Sequence, residues 1–265
     1  MKNLWKARRE VLERVWAAPQ VLLLPDYDGT LVPIRPTPEL ARLSSERKKI
    51  LAGLALKPAF DVGILTGRSL KDIQKAVKIP GLFYAANYGL VIATAKEKWV
   101  HPGAQKRASI LKRMLPSLRR ILSGYPGVRV EDKALTVAVH YRRYREAVEP
   151  LRQKMMRFLK VYGGRFRLAP GKKIFEVYPA VAWDKGKALS KIQALLGFRK
   201  RPLVIFFGDD RADEEAFRQM RHQDISVAVG RSKKTAARYF CRNSDEVIRF
   251  LKLLCGAGAG SESST

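Results

Sequence analysis

Little in this 265-residue chain could cross-link it, anchor it or bind a soft metal. Two cysteines, Cys241 and Cys255, are too few for a disulfide framework, and three histidines leave no His-rich metal site. The apolar runs, such as Val21 to Leu24 before Pro25, are far shorter than a bilayer span. Charges recur through MKNLWKARREVLERVW, so that stretch lacks the apolar core of a signal peptide. Acid is scarce as well: 24 Asp and Glu stand against 52 Lys and Arg, a net charge of +28. The expectation is a soluble protein of the reducing cytoplasm, without membrane insertion. Its charge attracts anions, which leaves open nucleic acid, a membrane surface or small phosphorylated substrates.

What is present organises the chain in two parts. Amphipathic spacing over residues 3–17 (Leu4, Val11, Leu12, Val15, Trp16) predicts a helix packed on the body. Apolar strands then alternate with helices. VLLLP is followed by a helix over 44–56; the strand 60–65 by a helix reaching Val77; LFYAA closes the first half. The pattern returns with a helix at 184–196, the strand 203–207, a helix from Asp213, the strand 225–229 and a helix from Ser244. Alternation of this kind predicts a parallel α/β sheet over 1–104 and 180–255. Residues 105–179 read differently, as αββαββ: helices 105–122 and 143–160, with strands near 127–131, 135–141, 165–168 and 173–178. This predicts an inserted α+β module with an antiparallel sheet and helices on one face. It carries +14, half the excess charge. The Gly/Ser-rich residues 256–265 are expected to be a disordered tail.

Four groups fall at the carboxyl ends of predicted parallel strands, where α/β sheets place function. Asp26 and Asp28 flank one residue and precede Gly29; on extended chain they would face one side and need a cation or proton between them. Thr30 and Leu31 do not fit an EF-hand loop, and the pentapeptide alone also reads as an acidic turn. Asp209, Asp210 and Asp213 suit a hard cation such as Mg²⁺, the alternative for this group alone being a solvated helix start. Thr66-Gly67-Arg68 offers a hydroxyl and a guanidinium at a helix N-terminus. Lys185 opens another helix. Taken together, nucleophilic carboxylate, hydroxyl, ammonium and cation ligands make a complete phosphoryl-transfer set. His101 and His222 read as surface residues, and Trp99 and Trp183 as packing near the module boundaries. Runs such as Arg142-Arg143 and Arg199-Lys200-Arg201 read as solvated faces.

The order DYDGTL (26–31), LTGR (65–68), VEDK (130–133), HYR (140–142), GKKIFEVYP (171–179), KG (185–186) and GDDRADE (208–214) resembles the haloacid dehalogenase (HAD) superfamily of aspartate-nucleophile phosphatases. Within it the motifs are most similar to the trehalose-6-phosphate phosphatases. The resemblance implies a Rossmann-like HAD core with an inserted cap and Mg²⁺-dependent hydrolysis of a sugar phosphate; a monomer is expected. It implies Asp26 as nucleophile and metal ligand, Asp28 as acid/base whose carbonyl reaches the metal, Thr66 and Lys185 on the phosphoryl group, and Asp209 at the metal, with Asp213 a further ligand or a carboxylate just behind the ligands. Arg68 would lie beside the substrate. Glu131, Lys133 and Glu176 would read sugar hydroxyls, with Arg142 and Lys172 in support. Ala212, Tyr88 and Pro25 depart from the family pattern. A HAD phosphatase for another glycosyl or sugar-acid phosphate is the alternative. A basic nucleic-acid-binding protein is a further one, though no specific nucleic-acid motif is present.

Overall fold

The computed structural model describes residues 1–144, 146–230 and 234–256. In chain order the strands are β1 Lys2–Asn3, β2 Val21–Pro25, β3 Phe60–Leu65, β4 Phe83–Ala86, β5 Val91–Ala93, β6 Lys98–Val100, β7 Arg129–Asp132, β8 Val137–His140, β9 Phe166–Gly171, β10 Ile174–Pro179, β11 Leu203–Gly208, β12 Ile225–Val229 and β13 Tyr239–Cys241. The helices are α1 Arg8–Trp16, α2 Ser45–Ala55, α3 Leu70–Val77, α4 Pro102–Leu122, α5 Val148–Lys160, α6 Lys185–Leu196, α7 Asp213–Gln219 and α8 Ser244–Gly256. Contacts divide the chain into Met1–Lys98 with Asp184–Thr265, and Trp99–Trp183. These bounds lie slightly outside the 105 and 179 read from the sequence.

The nine-stranded sheet has the order β1-β13-β12-β11-β2-β3-β4-β5-β6. β2 pairs in parallel with both β11 and β3, and every residue of it is buried. Its two neighbours belong to opposite windings of the chain, so the carboxyl end of β2 is the switch point where α/β folds open a crevice. The fully apolar runs found in the sequence are these central strands, covered on both faces. The short strands toward the two ends of the sheet, β1 and β13 at one and β5 and β6 at the other, had no sequence signal, being two or three residues long.

The second unit is a four-stranded antiparallel sheet, β7-β8-β10-β9. Helices α4 and α5 supply Leu111, Met114, Leu118, Leu151, Met155 and Leu159 to a core against Val137, Val139, Phe175 and Val177. Because strand side chains alternate, the other face carries Glu131, His140 and Glu176.

Several expectations are corrected. Helix 1 starts at Arg8, after β1, and Trp16 is 55% exposed rather than packed on the body. α4 starts at Pro102, not 105, because His101 caps it: its Nδ1 accepts from the Gly103 and Ala104 N–H groups, and Pro sits at the first helical position. His101 is therefore half-buried, and its ring packs on Trp183 at 4.9 Å and Trp99 at 5.9 Å. Helix α5 starts at Val148, not 143, since Pro150 cannot bond back to residue 146. Arg201 is not a solvated charge; its guanidinium forks onto buried Asp224 at 2.8 and 2.6 Å. Gly256 ends α8, and the rest of the expected tail, 257–265, lies outside the described residues.

Candidate active site

Asp26 is the first residue past β2. Its N–H still donates to the Phe207 carbonyl of β11, which fixes it at the sheet's end. This also accounts for Pro25. Since Asp26 points its N–H toward β11, the missing N–H of Pro25 would face β3, and that ladder stops at Leu23 opposite Val62. A proline there forfeits no sheet bond.

Beyond Asp26 the chain turns. The Leu31 and Val32 N–H groups donate to the Tyr27 carbonyl, and Gly29 takes φ +86°. The two-residue periodicity therefore ends before Asp28, and the expected Asp26–Asp28 pairing does not form. Instead the Asp28 carboxylate accepts two bonds from Arg68, from Nε and Nη2, each 2.7 Å. Arg68 lies over the Tyr27 ring at 4.6 Å and also donates to the Pro38 carbonyl. Burial alone would lower the Arg68 pKa, but the Asp28 carboxylate holds it above the ordinary value.

Asp26 meets Asp209 and Asp213, with one oxygen of each within 4.8 Å of the others. Gly29 makes this approach possible, since a Cβ there would stand 2.2 Å from an Asp209 oxygen. The Thr30 hydroxyl donates to Asp209 Oδ1 at 3.4 Å. Lys185, at the start of α6, is buried with its Nζ 2.5 Å from Asp213 Oδ1 and 3.4 Å from Asp26 Oδ1. Asp213 Oδ2 accepts the N–H groups of Asp209 and Asp210. Burial pushes the Asp26 pKa well above the usual carboxylate range, although Lys185 pulls the other way. Burial works against the Lys185 ammonium, yet Asp213 and Asp26 raise its pKa on balance. Thr66 is buried at the end of β3, and its hydroxyl oxygen accepts the Arg68 N–H, which leaves the O–H as a donor. Tyr88, at φ +60°, lays its ring over Gly67: a Cβ on that glycine would be 2.7 Å from the ring. Ala212 begins α7 with no side-chain cap.

The donor set fits a hard divalent cation. Asp26 Oδ1 is buried and accepts no hydrogen bond, and the neighbouring ligand atoms are carboxylate oxygens. Asp213 is already committed through both oxygens, to Lys185 and to the loop.

The second unit gathers another polar group. Glu131, Ala138 and Glu176 form one cross-strand row, with the small alanine between the carboxylates. Glu176 is buried, receives both a 2.5 Å bond from the Thr136 hydroxyl and Lys133 Nζ at 3.3 Å. Glu131 pairs with His140 Nε2 at 2.5 Å, with Arg129 at 3.8 Å. Burial would raise the Glu131 pKa, but His140, Lys133 and Arg129 bring it below the ordinary value. Arg142 and Lys172 are exposed on the same unit. His140, Thr136 and Thr30 were not among the residues singled out. His140 was legible, lying inside the HYR motif and in alternation with Ala138.

A family model described as trehalose-phosphatase matches residues 24–249, which holds all of these groups. The chain belongs to the trehalose-phosphatase family. It is 32% identical to probable trehalose-phosphate phosphatase D of Arabidopsis thaliana over 249 residues, covering 89% of this chain and 67% of that protein. It is also 32% identical to trehalose 6-phosphate phosphatase RA3 of Zea mays, covering 89% of this chain and 70% of that one. Among solved structures, a trehalose-6-phosphate phosphatase related protein superposes with a TM-score of 0.80 at 25% identity, over 91% of this chain and 100% of the other. A haloacid dehalogenase-like hydrolase from Bacteroides thetaiotaomicron shares the fold, with a TM-score of 0.63 at 15% identity over 89% and 99%. The expected α/β fold with its parallel sheet is thus the HAD fold. Among the described residues of this family member, no helix is long and apolar enough to cross a membrane.

Proposed function

We propose that this member of the trehalose-phosphatase family hydrolyses trehalose 6-phosphate to trehalose and phosphate, with Mg²⁺, by way of a phosphorylated Asp26. The supporting observation is the meeting of Asp26, Lys185 and Asp209 at the switch point of the sheet, in a chain of this family. One Asp26 oxygen forms the new bond to phosphorus as the bond to the sugar oxygen breaks. Asp28 gives the departing alkoxide its proton, then takes one from the water that cleaves the aspartyl phosphate. For this, the Arg68 fork must release at least one Asp28 oxygen when substrate enters. Lys185 offsets the charge of the phosphoryl group, and the Thr66 O–H donates to one of its oxygens. Asp26 and Asp209, with the Asp28 carbonyl, would hold the Mg²⁺, and Asp213 would steady Lys185 and the loop. When bound, the cation relieves repulsion between a carboxylate and a phosphate.

The second unit serves as a mobile cap that excludes water and reads the sugar through Glu131, Lys133 and Glu176, assisted by Arg142 and Lys172. The protein acts as a cytoplasmic monomer on this small substrate and needs no nucleic acid.

A panel of sugar phosphates, with and without Mg²⁺, tests the reading. Phosphate release from trehalose 6-phosphate should require the metal and fall on the order of 10⁴-fold or more in Asp26→Asn. Full activity of that variant overturns the mechanism. Preference for another glycosyl or sugar-acid phosphate moves the activity to that substrate.

A further inference from the structure

The second unit holds a groove that neither the chemistry nor sugar recognition uses. It lies between α5 and the outer edge of β9, on the helix side of the sheet, and encloses about 490 Å³. Its floor is apolar: Phe166, Leu168, Pro170 and Phe175. Its helical wall is set by a one-turn repeat. Arg152, Met156 and Lys160 fall at i, i+4 and i+8 and so form one stripe, a thioether between two cations. Arg167 also lines it, with its guanidinium over the Tyr178 ring. At the end of α5, Val161 is 82% exposed, and Met156 is 41% exposed.

The surrounding surface is predominantly positive. Helix α4 carries six Lys and Arg and no Asp or Glu over its 21 residues; α5 carries Arg152, Lys154, Arg157 and Lys160 against Glu149 alone. Both helices pack on the same sheet through the same core, so these charges form a single layer. We propose that this helical layer docks on the surface of an anionic lipid bilayer. Phosphate headgroups meet the α4 and α5 cations, and Met156 and Val161, with the groove beside them, take up the upper acyl region. Both halves of the chemistry point to this occupant: the charge needs an anion, and the groove and exposed aliphatics need an apolar phase. Nucleic acid would satisfy the first alone. It would leave the groove uncovered, and Phe166 and Phe175 are buried, so neither is free to stack on bases.

The test uses the whole 265-residue chain, co-sedimented with phosphatidylcholine vesicles with and without phosphatidylglycerol, across a salt series. Binding should require phosphatidylglycerol and weaken with salt. The reversal Lys154→Glu/Arg157→Glu/Lys160→Glu should lower vesicle partitioning about tenfold or more. A charge-matched control in the first unit, Lys49→Glu/Lys71→Glu/Lys75→Glu, should lower it far less. Met156→Asp should weaken what binding remains at high salt. Circular dichroism and turnover of a soluble aryl phosphate verify that each variant is folded. No binding to anionic vesicles, equal loss in the control, or duplex DNA displacing the protein from vesicles and binding Met156→Asp undiminished would each overturn the proposal.

Discussion

At the residue scale, the site depends on close approaches that a single added atom would block. Gly29 combines φ +86° with an Asp209 oxygen where its Cβ would be. Gly29→Ala should reduce turnover about 100-fold or more, since Asp209 must move away from Asp26. A steady-state assay checks this, and near-normal kcat would mean the loop yields freely. Asp213 is the counter-ion of a fully buried ammonium. Asp213→Asn leaves Lys185 with only the longer Asp26 contact, and should cost about 3–5 kcal/mol of stability, read from urea unfolding. Outside the site, burial raises the Cys241 thiol pKa to about 12, while Cys255 is half-buried. Alkylation of the folded protein at about pH 8 should therefore label Cys255 and spare Cys241.

At the element scale, two helices show how local chemistry and tertiary packing share the work. α4 runs through Pro116 without ending, because Leu111, Met114, Leu115 and Leu118 around it are held in the core. The proline removes one main-chain bond on the exposed side, so Pro116→Ala should raise stability by about 1–3 kcal/mol, measured by thermal or urea unfolding. The β7–β8 pair carries Glu131 beside His140. Because the folded-state pKa of Glu131 is lowered, the stability it contributes is complete above the ordinary value of 4.5 and is lost as pH falls through the folded value. Urea unfolding of Glu131→Gln against the unmodified protein should show a gap at neutral pH that closes in acid. A gap independent of pH would place the effect in packing rather than charge. The helix starts corrected by the structure are legible in hindsight. Pro102 and Pro150 mark both, but His101 is not a customary capping residue, so the sequence pattern places the start of α4 three residues late.

At the scale of the whole molecule, the net charge of +28 divides into what the chemistry uses and what it does not. Lys185 and Arg68 are tied to carboxylates inside the first unit, and Lys133 to Glu176 inside the second. The remainder is largely surface, and a positive surface field speeds encounter with an anionic substrate. Raising salt from about 0.02 to 0.2 M should therefore lower kcat/KM severalfold while leaving kcat nearly unchanged. A parallel fall in kcat would instead assign the salt effect to the site.

The apolar runs specified the parallel sheet, and the order of motifs specified the family, because both are encoded in neighbouring residues: burial on two faces needs an uninterrupted apolar run, and each motif is one strand end or one helix start. The second module was legible for the same reason, through hairpin-length spacing. Pairings across the chain were not. Asp28 was expected to face Asp26, yet the strand ends at Pro25 and a turn redirects Asp28 to Arg68, forty residues on in the chain. Asp213 lies with Asp26 and Asp209 as expected, yet its further partners, Lys185 of α6 and the N–H groups of Asp209 and Asp210, were not legible. Arg201 was expected in solvent, yet Asp224 lies buried beside it. Which charge meets which is set by where strand ends and helix starts come together in space, and that proximity exists only once the sheet has assembled.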